Sequence, residues 1–191
     1  ASNTVYVSTA LMTAPFFYSG WSLIDQYATL GFVIARSMAL SIGTEGAHFS
    51  TSGALSPIIT GETAAAHNAS IMNLCRQYLS GATGCDGSTP DEVFADVMGM
   101  NVALRALEEV GGSLSTKQLR QFVIAFAQTW ASARASGEKP SAHMRGFFMS
   151  EARVDATASY MRTPEGVPVM GSAFECPPSA RLMHHNPVEV S

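Results

Sequence analysis

The most constraining feature of this sequence is an apolar segment at residues 27–42 that carries a single charged side chain, Arg36. The segment is apolar nearly all around a helical wheel, so it predicts a fully buried helix. The longest apolar run, Leu30 to Ile42, is interrupted by Arg36 and two serines and is too short to span a bilayer. A charge in such a helix is costly unless it is paired, so Arg36 requires a carboxylate from another element.

The overall composition limits the kind of protein that can hold this helix. The 191 residues include 11 Lys+Arg and 15 Asp+Glu, a net charge of −4, and charged residues form only 14% of the chain. The 47% hydrophobic content excludes a disordered chain, and the scattered basic residues argue against a nucleic-acid partner. The length suits one domain. The charge is low for a free-standing domain, which indicates that much of the surface is covered by something else.

The pattern of apolar residues and breakers predicts a mainly α chain. Residues 3–11 alternate and are rich in Val, Tyr and Thr, which predicts a strand near the N-terminus. Residues 138–168, with three prolines, predict irregular structure. Helical spacing and capping signals predict the other helices at 62–80, 89–111, 115–137 and 169–175.

The cysteines and one sequon bear on the compartment. Cys75, Cys85 and Cys176 are odd in number, so at least one is free or bonded outside the chain. Cys75 and Cys85 lie on either side of a helix end and could bridge if the geometry allows. The sequon at Asn68 predicts a glycosylated asparagine and weakly favours a secretory route. The chain starts with Ala and residues 1–30 lack a signal-peptide pattern, so we expect a processed or truncated start.

A series of motifs follows in a fixed order along the chain. They lie at Asn3–Phe17, Gln26–Leu40, Phe49–Leu55, Thr89–Ala106, Phe126–Trp130 (F-A-Q-x-W), Arg153-Val154 and Ala173–Cys176 (A-F-x-C). Together they resemble the C-terminal part of the neprilysin / endothelin-converting-enzyme family of zinc metallopeptidases. The resemblance implies a zincin-like (thermolysin-like) lobe, mainly α with one or two N-terminal strands, that occupies residues 1–191 as a single unit.

The same resemblance implies that the zinc chemistry has been lost. A catalytic zinc of this kind needs two His from an HExxH helix and a Glu from a second helix, with the motif's own Glu as general base. Arg36, Ser37 and Leu40 stand at the positions of the first His, the base and the second His. A guanidinium cannot bind zinc and Leu has no donor atom. We therefore expect a pseudopeptidase without a cofactor.

Two carboxylates remain where the family has the third zinc ligand and its hydrogen-bonding partner, Glu92 and Asp96. We predict that Arg36 pairs with Glu92, Asp96 or both, so that a fixed cation takes the place of the metal. Simpler roles are open for both acids. Glu92 could close a capping box with Thr89, and Asp96 could be a solvated charge favoured by the helix dipole.

The function predicted on this basis is a structural or protein-binding role in a multi-chain assembly, in a secreted or secretory-lumen protein derived from a processed precursor. Proteins of this family also have a large N-terminal lobe, which these 191 residues do not include. The resemblance implies that this lobe, or other subunits, would be the partner. Cys176 stands where the family has a bond to that lobe, so it is either free or linked to another polypeptide. The alternatives are a metallopeptidase with a rearranged site of Glu92, Asp96 and His143, or an unrelated helical interaction module.

Overall fold

The computed structural model describes residues 4–78, 90–131, 151–180 and 182–183. This part of the chain is mainly helical, which confirms the predicted class. Short 3-10 turns lie at Thr9–Met12, Leu40–Ile42 and Gly46–His48. The α-helices in the described ranges are α1 (Leu23–Gln26), α2 (Phe32–Ala39), α3 (Gly61–Tyr78), α4 (Pro90–Gly111), α5 (Thr116–Trp130), α6 (Glu151–Tyr160) and α7 (Val169–Phe174).

The apolar segment forms a continuous helical stretch, in which a π-helical segment at Tyr27–Gly31 joins α1 to α2. The Ser22 side chain caps its start by accepting from the Asp25 backbone N–H. The prediction that this helix is fully buried is wrong, because the side chains of Met38, Leu40 and Ile42 are exposed. Only one face packs on the rest of the described structure, and the other is left apolar and open.

The main core lies where α2 crosses α4 and α5. Phe32 of α2 makes edge-to-face contacts with Phe126 and Trp130 of α5, with ring centroids 5.0 and 5.9 Å apart. Close approach of α2 to α4 depends on Gly99, where a Cβ atom would lie only 2.6 Å from the Arg36 Cα. The glycine therefore brings the backbone of Arg36 directly onto α4.

A second apolar cluster joins α3 to α4. It contains Ile71, Leu74 and Cys75 from α3 and is closed by Tyr160 from α6. On the same side, the buried imidazole of His67 lies 2.7 Å from the Ile42 carbonyl oxygen through Nε2. These contacts hold the end of the α2 segment against α3.

The predicted N-terminal strand is not formed in the described residues. Residues 4–8 lie outside any regular element, and Ser8 caps the 3-10 turn that follows. Val5, Tyr6 and Val7 are exposed, with Tyr6 80% accessible. A strand requires a neighbour to complete its hydrogen bonds, and the described residues supply only isolated bridges, at Phe49–Leu55 and Arg162–Pro168.

Two helix predictions also need correction. Residues 151–160, expected to be irregular, form α6, whose sequence lacks an amphipathic stripe and buries polar side chains such as Arg153 and Thr157. The helix that starts at Ser115 ends at Trp130 rather than near Gly137, because Ala131 is extended. Its start is as predicted, with a capping box between Ser115 and Gln118. In the described ranges, none of the helices is long and apolar enough to cross a membrane.

Candidate functional site

Arg36 meets a carboxylate from α4. Its Nε donates a hydrogen bond to Asp96 Oδ1 at 2.6 Å, and the two side chains are 12% and 0% exposed. Of the two acids predicted as partners, Asp96 is therefore in direct contact with Arg36. The alternative of a solvated Asp96 is wrong, because the carboxylate has no accessible surface.

The other oxygen of the same carboxylate binds a second guanidinium, from α6. Arg153 Nε donates to Asp96 Oδ2 at 2.8 Å, and Arg153 Nη2 lies 2.6 Å from that oxygen. The Arg153 side chain is only 2% exposed. We call these three residues the Arg36–Asp96–Arg153 cluster. It links α2, α4 and α6 through one buried acid, and the loss of such a partner typically costs about 3–5 kcal/mol.

Sequence reasoning found Arg36 and Asp96 but gave Arg153 no role at this site. In the sequence Arg153 is half of an Arg-Val motif, and the segment around it was expected to be irregular. No local signal connects it with Asp96, because 57 residues separate the two in the chain. The contact arises only when α6 packs on α4.

Glu92 lies one helical turn before Asp96 and is half-buried. Thr89, its proposed capping partner, is outside the described residues. The adjacent acid, Asp91, was not singled out from the sequence. It accepts hydrogen bonds from Thr44 N and Thr44 Oγ1 at 2.7 and 2.8 Å, and from Glu45 N at 3.1 Å. Asp91 thus ties the loop after the α2 segment to the first turn of α4.

The donor set around the cluster does not fit zinc. Arg36 offers only N–H donors, the Ser37 hydroxyl donates to the Val33 carbonyl at 2.9 Å, and the exposed Leu40 side chain has no donor atom. Among residues 4–78, 90–131, 151–180 and 182–183, no group of three His, Cys, Asp or Glu side chains is placed to hold a metal ion. His143, the residue of the rearranged-site alternative, lies outside these ranges.

The remaining predicted positions are the three cysteines and the asparagine of the sequon. Cys75 is buried and forms a disulfide, whereas Cys176 is a half-buried free thiol. Cys85 lies outside the described residues. Asn68 is exposed but sits within α3 rather than in a loop, and its glycosylation stays a prediction. A link from Cys176 to another polypeptide also stays a prediction.

An apolar groove runs along the open face of the π-helical segment and α2. It has a volume of about 460 Å³. Its lining is almost entirely hydrophobic and includes Phe17, Leu30, Ile34, Met38, Val102 and Ala106. Exposed apolar surface that forms a continuous groove is typical of an interaction site.

Sequence comparison matches nearly the whole chain to one family. The sequence model of peptidase family M13 matches residues 1–190. No curated protein matches the chain. The family match confirms the resemblance inferred from the ordered motifs. The alternative of an unrelated helical module is therefore wrong.

Solved structures of this fold agree with that match. PepO from Lactobacillus rhamnosis HN001 superposes with a TM-score of 0.70 at 20% identity, over 93% of this chain and 28% of that one. The zinc metalloprotease Zmp1 of Mycobacterium tuberculosis, in complex with an inhibitor, gives 0.69 at 17% identity, over 96% and 30%. Zmp1 in its open state gives 0.63 at 17%, over 91% and 29%. The chain thus spans less than a third of the length of these structures.

Proposed function

Because the chain belongs to peptidase family M13, we propose that it is a catalytically silent domain of that family with a structural or protein-binding role in a larger assembly. The observation that carries the proposal is the 2.6 Å contact between Arg36 and Asp96. In the alignment of motifs, Arg36 stands at the first zinc-binding His and Asp96 at the hydrogen-bonding partner of the third ligand. The contact therefore joins two positions of the family's zinc site through a salt bridge.

A guanidinium at this point supplies a permanent positive charge without a metal. A guanidinium is always protonated in folded proteins. Arg36 can therefore neutralise the buried Asp96 but cannot activate a water molecule, which requires a Lewis acid with an open coordination position. Arg36 in place of the His thus removes the capacity for catalysis and leaves a salt bridge that stabilises the fold.

The apolar groove along the π-helical segment and α2 supports a role in binding another protein. Met38 is exposed and lines the groove, and Leu40 and Ile42, in the turn that follows α2, are exposed as well. The matched structures contain more than twice as much chain as this one. We therefore take the partner to be the remaining part of an M13-type molecule, in the same precursor or in a separate subunit. The Cys75 disulfide favours a secretory compartment, where such bonds persist.

Metal analysis of the purified chain tests the proposal. We expect less than about 0.1 zinc per chain after dialysis against micromolar zinc, because the required ligands are absent. The matched variant carries Arg36→His, Ser37→Glu and Leu40→His together, which rebuilds the motif on α2 opposite Glu92. We expect this variant to hold close to one zinc per chain, with Arg36→His alone as the control that does not.

One result would overturn the proposal. Zinc bound at about one ion per unmodified chain, together with cleavage of peptides that a chelator abolishes, would establish the rearranged-site metallopeptidase instead. His143→Ala would then remove both the metal and the cleavage.

A further inference from the structure

A second cleft, which shares Val102 with the apolar groove, contains a half-buried arginine that has no counter-ion among the residues that the structure describes. The cleft has a volume of about 500 Å³ and lies between α3, α4 and the turn that follows α6. Its apolar wall consists of Leu74, Val97, Met98 and Val102, and its cationic side chains are Arg105 and Arg162. The lining within the described ranges includes no acidic residue.

The position of Arg162 is set by a network of hydrogen bonds. Asn101 Oδ1 accepts from the Arg162 backbone N–H at 2.9 Å, while Asn101 Nδ2 donates to the Val97 carbonyl at 2.9 Å. Arg162 Nη1 donates to the carbonyl oxygens of Ser159 and Met161 at 2.8 and 3.0 Å. The guanidinium is therefore held in place from one side by the backbone of its own turn.

The turn itself is closed tightly. Thr163 N donates to the Val167 carbonyl at 3.0 Å, and Gly166 N donates to the Thr163 carbonyl at 2.8 Å. Gly166 adopts φ of +81°, a conformation that other residues rarely take. This turn keeps the Arg162 side chain against α4.

The opposite edge of the guanidinium is unsatisfied. Arg162 Nη2 is buried, and within the described residues it makes no hydrogen bond and no ion pair. Burial lowers the pKa of Arg162, with only the nearby Tyr160 acting against this. Glu108 interacts with Arg105 and Glu165 rather than with Arg162. A buried donor with no partner is rare in folded proteins, and a bound water molecule or a bound ion is one way to satisfy it.

From this arrangement we infer that the cleft binds a carboxylate carried on an apolar body. A carboxylate accepts two parallel hydrogen bonds from one guanidinium, which would satisfy Nη2. Arg105, at the exposed rim, adds a second positive charge at the entrance. The apolar wall and the volume exceed what a simple anion needs, so the ligand should bring hydrophobic surface to cover Leu74, Val97 and Val102. A fatty acid and a peptide C-terminus with an apolar last residue share this chemistry.

Calorimetric titration of the 191-residue chain tests the inference with four probes: octanoate, N-acetyl-leucine, N-acetyl-leucinamide and inorganic phosphate. We expect the two carboxylates with apolar bodies to bind at least about tenfold more tightly than the amide or phosphate, as a charge-assisted pair contributes that much. Preference for octanoate would indicate a fatty acid, and preference for N-acetyl-leucine a peptide C-terminus. Equal binding of phosphate or of the amide would overturn the inference.

Variants locate the site. Arg162→Met should weaken binding of the better carboxylate by about tenfold or more, and Arg105→Gln by about threefold, because the rim charge is screened. Arg76→Gln is the matched control, since Arg76 is exposed on α3 and does not line the cleft. Unchanged binding in both Arg162→Met and Arg105→Gln, with the helical circular dichroism retained, would refute the assignment. Zinc content plays no part in this test, so its failure leaves the proposed function untouched.

Discussion

Two arginine sites on α4 differ in whether an acid lies beside the guanidinium. Toward α2 and α6, Asp96 neutralises Arg36 and Arg153 with one oxygen each, at 2.6 and 2.8 Å. Toward the turn after α6, Arg162 donates to backbone carbonyls, and among the described residues its Nη2 has no hydrogen-bond partner. The comparison separates a charge cluster that contains its own acid from a cation that has none in the part of the chain that the structure describes.

The largest effect should follow the loss of the shared acid. Asp96→Asn removes the negative charge from the Arg36–Asp96–Arg153 cluster and leaves two guanidinium groups facing each other in a buried site. We expect the free energy of unfolding to fall by about 3–5 kcal/mol, measured by urea denaturation. Glu109→Gln, an exposed acid on the same helix, is the control and should change it by less than about 0.5 kcal/mol. A loss below about 1 kcal/mol for Asp96→Asn would show that the cluster does not hold the three helices together.

A pair of matched substitutions tests the comparison directly. Arg36→Met leaves Asp96 with one partner instead of two and should cost about 2 kcal/mol. Arg162→Met removes a half-buried cation that has no acid beside it in the described residues and keeps much of the side-chain volume, so we expect a change of less than about 1 kcal/mol in either direction. Urea denaturation of both variants under the same conditions measures the difference between their losses in the free energy of unfolding. Equal losses would contradict the distinction between the two arginine sites.

The smallest effect concerns Glu108, near the far end of α4. Burial, together with the charge of Glu165, raises the pKa of Glu108. A carboxyl with a raised folded-state pKa gives its full stabilisation below its unfolded pKa of about 4.5 and loses it as the pH rises through the folded value.

Glu108→Gln should therefore raise the stability at pH 7 by less than about 1 kcal/mol, since solvent screens this half-exposed group. In this variant the stability should also depend less on pH above pH 4.5, which melting temperatures between pH 4 and 7 would measure. A steeper dependence in the variant would mean that Glu108 is stabilised as the anion and that the sign is wrong.

Much of the helical scaffold was predictable, and the reasons are local. Pro90 at the first position of α4 and the capping box at Ser115 mark helix starts through contacts within one turn. The extent of the apolar segment was predictable for the same reason, although its exposed face was not, because burial depends on which other elements pack on it. The expected N-terminal strand failed since a strand depends on a partner that local sequence does not specify.

The candidate site divides in the same way. That Arg36 needed a carboxylate followed from the sequence alone, because the cost of an isolated charge in an apolar helix depends only on the residues around it. That this carboxylate is Asp96, 60 residues away, and that Arg153 takes its second oxygen, was decided by the tertiary structure. Gly99 lets α2 approach α4 until the Arg36 side chain reaches Asp96, and the packing of α6 brings in Arg153. The same packing brings no acid from the described ranges to Arg162, since the distances between helices, and not the sequence pattern, determine which charges meet.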